Sequence, residues 1–157
     1  EQQFGNTNYY NKGLLLKETL LDGNGNLQNG SENIYNIQNI YTGELLPDSF
    51  AESDSASLFI ELGESRRYFY ENALSPQITT RVTYEYDKMG NISKFTDYST
   101  EKPEEKVEVI ISYHAIDSSY LYSIPSKQEV IIQKGLIRKK ETTIDKFGEI
   151  TDTTIHF

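Results

Sequence analysis

The chain has 157 residues, a formal net charge of −9 and a pI near 4.7, with 12 Tyr, 7 Phe and no Cys. An acidic balance without a long basic stripe disfavours a phosphate backbone or an anionic membrane, and the missing thiols exclude disulfides and thiolate metal sites. No apolar run approaches the roughly 20 residues of a membrane helix, so neither nucleic acid binding nor membrane insertion is expected. One domain is expected at this length, and a hydrophobic content of 36% that relies on large rings suits an all-β protein with a thin core.

In chain order, residues 14–21 are rich in leucine, which is indifferent between helix and strand, and the turn that follows decides for strand. Asp22-Gly23-Asn24-Gly25 has Gly three residues after Asp, and Asn26-Leu27 restarts an extended run over 27–40. A first hairpin is therefore predicted near 14–40, with a break at Asn29-Gly30-Ser31. Residues 42–56, with Pro47 and the acidic Glu52-Ser53-Asp54, are predicted to be a solvated loop. Residues 58–62 and 67–70 are expected as two short strands about Gly63-Glu64, and Pro76 introduces a strand over 78–87.

The central hairpin, near 78–98, carries the clearest signal. Tyr84 and Tyr86 alternate with Thr83 and Glu85, and the run stops at Asp87-Lys88-Met89-Gly90. Asp87 suits the first position of a type I turn, where its carboxylate accepts from the turn's own amides. Gly90 takes the positive φ that returns the chain with a bulge. Residues 99–106 are charged and rich in breakers, hence a loop. Val107–Tyr113 alternates Val107, Val109, Ile111 and Tyr113 on one face and is predicted as a strand. A further strand is expected over 129–132. A third hairpin, near 136–157, turns at Asp145-Lys146-Phe147-Gly148.

The organising fact is thus a repeat: Asp22/Gly25, Asp87/Gly90 and Asp145/Gly148 each sit between extended runs, at unequal spacing that excludes a short solenoid of fixed period. Each hairpin has unpaired edges that the next hairpin satisfies. The sequence opens on Glu1 rather than Met, and Ile155-His156-Phe157 closes it on an extended pattern. The expected context is a single β module, 1–157, of a longer repeat protein.

The run Tyr84-x-Tyr86-Asp87-x-x-Gly90-Asn91-Ile92 resembles the YD repeat of the RHS superfamily, which includes bacterial RHS proteins, shell components of insecticidal toxin complexes and teneurins. The third hairpin is similar but has Thr142 and Ile144 at the tyrosine positions, and the first has Thr19 and Leu21 there. Asn91, Asn26 and Glu149 stand where the family often has Arg. Tyr120-Leu121-Tyr122-Ser123-Ile124-Pro125 resembles an aromatic-Leu-x-x-x-Pro stretch found between YD units. The resemblance implies successive antiparallel hairpins joined in a curved or spiralling sheet, in a secreted or cell-surface bacterial protein. It also implies a non-enzymatic structural or encapsulating role, with adjacent repeats of the same polypeptide as partners and a C-terminal toxin domain as possible cargo. A carbohydrate-binding β domain using exposed aromatic rings is the alternative.

No cofactor, metal or catalytic residue is expected. Asp22-Gly-Asn24-Gly-Asn26 resembles the opening of a calcium loop, but Leu27 stands where that loop requires Gly and Asn33 where it requires Glu. His114 and His156 lack a second ligand at metal spacing, and no Gly-x-Ser-x-Gly, Walker or Gly-x-Gly-x-x-Gly pattern occurs. His114, at a strand end, is expected at the surface or an interface. The sequons at Asn29 and Asn91 are accounted for as turn chemistry. The tyrosines are expected to pack across strands rather than form a sugar platform.

Overall fold

The computed structural model describes residues 1–6, 10–46, 57–71, 73–99, 102–117, 120–133 and 135–157. It is one open antiparallel sheet of eleven strands, not closed into a barrel. The first five strands are β1 (Gln2–Phe4), β2 (Leu15–Leu21), β3 (Leu27–Asn39), β4 (Leu45–Leu46) and β5 (Leu58–Phe69). They are followed by β6 (Ile78–Tyr86), β7 (Ile92–Ser99), β8 (Val107–Tyr113), β9 (Pro125–Ile132), β10 (Gly135–Ile144) and β11 (Ile150–His156). Strands neighbour each other in chain order, except that β4 pairs with β3 on the edge opposite β5. Every pairing is antiparallel.

The predicted hairpins are β2–β3, β6–β7 and β10–β11, and each has a register shift at its turn, between Leu20/Leu21, Glu85/Tyr86 and Thr143/Ile144. Elsewhere the structure corrects the expected elements. β3 runs unbroken through Asn29-Gly30-Ser31, because Gly30 has strand partners on both sides, Thr19 and Tyr68. Asn29 is therefore a strand residue, not a turn residue. The two short strands expected about Gly63 are one: Ile34 pairs with Glu64 and Tyr35 with Leu62, so a bulge absorbs Gly63 without ending the ladder.

Within the loop predicted near 42–56, Leu45 and Leu46 pair with Gln38 and Ile37, and residues 47–56 lie outside those described. In the loop near 99–106, Pro103–Glu105 form one 3-10 turn. The strand expected over 129–132 starts earlier, at Pro125, a position where the missing N–H costs no ladder bond.

The sheet is a single layer. Among the described residues Ile37, 7% exposed, is the one buried hydrophobic side chain. Alternation along the paired strands nevertheless separates two faces. One carries Val82, Tyr84, Phe95, Val107, Val109, Val130 and Ile132, matched across strands by the register and half-buried. The other carries a row of ion pairs, while Glu18, Arg67 and Asp97 lie on the first face. Arg66 pairs with Glu32 and Glu64, Arg81 with Glu64, Lys94 with Glu85 and Glu108, Lys127 with Glu129, and Lys139 with Glu141.

Candidate functional site

The three Asp-x-x-Gly tetrads occupy turns of one geometry. Gly25, Gly90 and Gly148 have φ of 84°, 81° and 87°, and their amides donate to the carbonyls of Asp22, Asp87 and Asp145 at 3.1, 3.0 and 3.1 Å. Each Asp Oδ1 accepts from the amides two and four residues on: Asn24 and Asn26, Met89 and Asn91, Phe147 and Glu149, at 2.8–2.9 Å. Asn26 and Asn91 also donate through Nδ2 to the second Asp oxygen at 3.0 Å. The Asn26 side chain, with the Asn26 and Asn24 amides, holds the Asp22 carboxyl below its usual range. Glu149 brings a carboxylate instead of an amide and has no N–H to donate from its side chain.

The tips differ in what covers them. At Gly90 the place a Cβ would take lies 3.2 Å from Phe59 Cζ, and the Phe59 ring meets Tyr86 edge-on with centroids 6.0 Å apart. At Gly148 that place lies 2.6 Å from Leu121 Cδ1 and 3.0 Å from Ile124 Cδ1. At Gly25 no described atom comes within 4 Å. Phe59 lies near the start of β5, the strand before the β6–β7 hairpin, and Leu121 and Ile124 lie just ahead of β9, the strand before β10–β11. The cover thus comes from within the preceding strand at Gly90 and from the segment leading into it at Gly148. Asn91 adds a polar tie, donating from Nδ2 to the Tyr122 carbonyl at 2.8 Å.

The motif tyrosines are embedded in the sheet. Tyr84 pairs with Phe95 across β6–β7, and the Tyr86 hydroxyl donates to the Leu62 carbonyl at 3.1 Å. Tyr113 donates likewise to the Ile92 carbonyl at 2.9 Å. Burial first, then the nearby Glu61 charge, pushes the Tyr86 hydroxyl above its usual value. Among the described residues the most exposed rings, Tyr41 and Tyr120 at 84% and Phe157 at 96%, stand on separate loops and at the chain end.

Two polar clusters were not singled out by the sequence. On the charged face Glu64 is buried and accepts from both Arg66 and Arg81, whose guanidinium also lies 5.4 Å from the Tyr98 ring centroid. Burial alone raises the Glu64 carboxyl, but hydrogen bonds from Arg81 and Arg66 outweigh it and the net shift is downward. Glu61, 6% exposed, accepts from Asn36 Nδ2 at 3.3 Å through one oxygen, and its Oε2 has no partner.

The second cluster lines an open groove of about 880 Å³ across β1, β2, β3 and β5, with Glu18, Asn29, Asn33, Arg67 and Phe69 among its walls. Long-range register brings both clusters together, and no local pattern announces them. The Leu121–Ile124 cover did carry a signal, the aromatic-Leu-x-x-x-Pro stretch.

His114, expected at the surface or an interface, is half-buried, and its Nε2 lies 2.8 Å from the Thr142 carbonyl, tying the loop after β8 to β10. Thr142 is itself buried and donates its hydroxyl to the Pro125 carbonyl. Among the described residues no three His, Asp or Glu side chains converge as metal ligands.

No family model, curated protein or solved structure matches this chain.

Proposed function

We propose that this chain is a non-enzymatic wall-forming β module of an RHS-like protein, secreted or displayed on a bacterial surface. In that setting its hairpins adjoin those of neighbouring repeats in the same polypeptide and help enclose a cargo such as a C-terminal toxin domain. The observation that carries this is the single-layer sheet: eleven strands, a half-buried apolar patch over β6–β9, ion pairs on the opposite side and, among the described residues, few buried side chains. A sheet of this extent is suited to partitioning space, whereas a catalytic domain concentrates reactive groups in a pocket. The shared turn geometry supports repetition as the building rule.

Electron microscopy of the parent polypeptide tests this. Hollow particles with walls one sheet thick are expected, and a solid globular particle would overturn the assignment.

The groove beside β1 favours a second reading, a carbohydrate-binding domain. Its Asn, Ser and Arg side chains with Phe69 form the mixed polar and aromatic lining that sugars use. Saturable signal on a glycan array, lost in Phe69→Ala and Arg67→Ala, is the outcome that would favour it over the wall module.

A further inference from the structure

We propose that one rim of the sheet is stitched by side chains, which hold the strand ends at a fixed splay wherever the chain itself does not cross between them. The rim is the one that carries the 87–90 and 145–148 turns.

A single register rule builds it. In the β2–β3, β5–β6, β7–β8 and β9–β10 ladders the last paired residues toward this rim are Lys17 and Glu32, Glu64 and Thr83, Lys94 and Ile110, and Lys127 and Glu141. In each, the carbonyl two residues beyond that pair on the earlier strand accepts from a side chain one or three residues beyond it on the later strand. Tyr86 donates to the Leu62 carbonyl at 3.1 Å and Tyr113 to that of Ile92 at 2.9 Å. Asn33 and Tyr35 both donate to Leu15, at 3.0 and 3.4 Å, and Thr142 donates to Pro125. Positions one and three residues on share a face, so all four ties lie on the side of Val82 and Phe95.

Ties and chain crossings alternate along the rim. Residues 5–14, 40–57, 87–91, 114–124 and 145–149 join β1 to β2, β3 to β5, β6 to β7, β8 to β9 and β10 to β11 there, and the ties join the pairs between. Each neighbouring pair in the main strand order is thus closed by backbone or by side chain. A carbonyl at the end of a ladder needs a donor, and where two strands diverge a side chain supplies it. Tyrosine suits the place because its rigid ring spans a widening gap and carries a hydroxyl at the far end, serving as spacer and tie together. Burial first, then Glu61 for Tyr86 and Asp87 for Tyr113, raises both hydroxyls above their usual value and so keeps them as donors.

The test uses Tyr86→Phe and Tyr113→Phe in the full chain, which keep the ring and remove the donor. By hydrogen-exchange mass spectrometry, Tyr86→Phe is expected to speed exchange about 2–10-fold at the rim ends of β5 and β6 and to leave β8 unchanged. Tyr113→Phe is expected to speed the rim ends of β7 and β8 by a similar factor and to leave β5 unchanged. Because the chain has no Cys, spin labels at Lys88→Cys and Lys146→Cys report the distance between the two turn tips. Tyr113→Phe, whose tie lies between those tips, should broaden that distance distribution, and Tyr86→Phe, whose tie lies outside them, should not. Exchange that rises equally over all strands, exchange that rises in neither variant, or an unbroadened distribution in Tyr113→Phe overturns the proposal.

Discussion

A single added methyl group at the three turn glycines separates backbone strain from packing. Gly25→Ala, Gly90→Ala and Gly148→Ala each place an L-residue at φ between 81° and 87°, which costs about 1–2 kcal/mol. The gain from stiffening the unfolded chain, about 0.4–1 kcal/mol, is common to all three and cancels in their comparison. What remains is the surroundings.

At Gly25 the methyl group meets no described atom within 4 Å, so strain is the expected effect. At Gly90 it lies 3.2 Å from the Phe59 ring, which must yield by a few tenths of an ångström. At Gly148 it lies 2.6 Å from Leu121 Cδ1 and 3.0 Å from Ile124 Cδ1, an overpacked contact that adds about 1–3 kcal/mol. Urea unfolding is therefore expected to rank the losses Gly148→Ala above Gly90→Ala above Gly25→Ala, with m values unchanged. Equal losses, or the largest at Gly25, would refute the claim that Gly90 and Gly148 are covered.

Three further outcomes are expected. Asn91→Ala loses bonds to both Asp87 and the Tyr122 carbonyl where Asn26→Ala loses only that to Asp22, so it should cost about 1 kcal/mol more by denaturant melts, and equal costs would remove the tie between turn and loop. Glu64 has a folded-state pKa below its unfolded value, so its contribution is full above the ordinary carboxylate range and lost as pH falls through the depressed value. Glu64→Gln should therefore flatten the acid limb of stability against pH, and curves parallel to the parent would contradict that. Glu61→Gln removes a buried charge with one unpartnered oxygen and should stabilise by about 1–3 kcal/mol, an outcome excluded if its melting midpoint falls.

The hairpins were legible because their determinants are local. An Asp that accepts from amides two and four residues on, with a Gly at positive φ between them, is written in five consecutive residues. The errors arose where distant strands decide. Gly30 looks like a break in sequence but is held in a strand by Thr19 and Tyr68, and a Cβ at this position would lie 3.5 and 3.6 Å from the Tyr68 and Tyr70 rings. Gly63 looks like a turn because composition cannot tell a bulge from a reversal, and the choice is made by β3. Glu64, Arg66 and Arg81 likewise carry no spacing that foretells their cluster, since β5 and β6 bring them together. His114 found its partner, the Thr142 carbonyl, across an interval no motif spans.

The surplus residue at Gly63 has a reach beyond its own strand. Side chains alternate sides along a strand, so one position more or less inverts everything upstream of it. With Gly63 in place, Asn36 faces Glu61 and Gln38 faces Phe59. Excising that glycine would swap Phe59 with its neighbours, carry the ring to the opposite side and strip the lid from Gly90. Length in this segment is therefore under tighter control than residue identity, and the phase of one strand governs the closure of a turn formed by the two that follow.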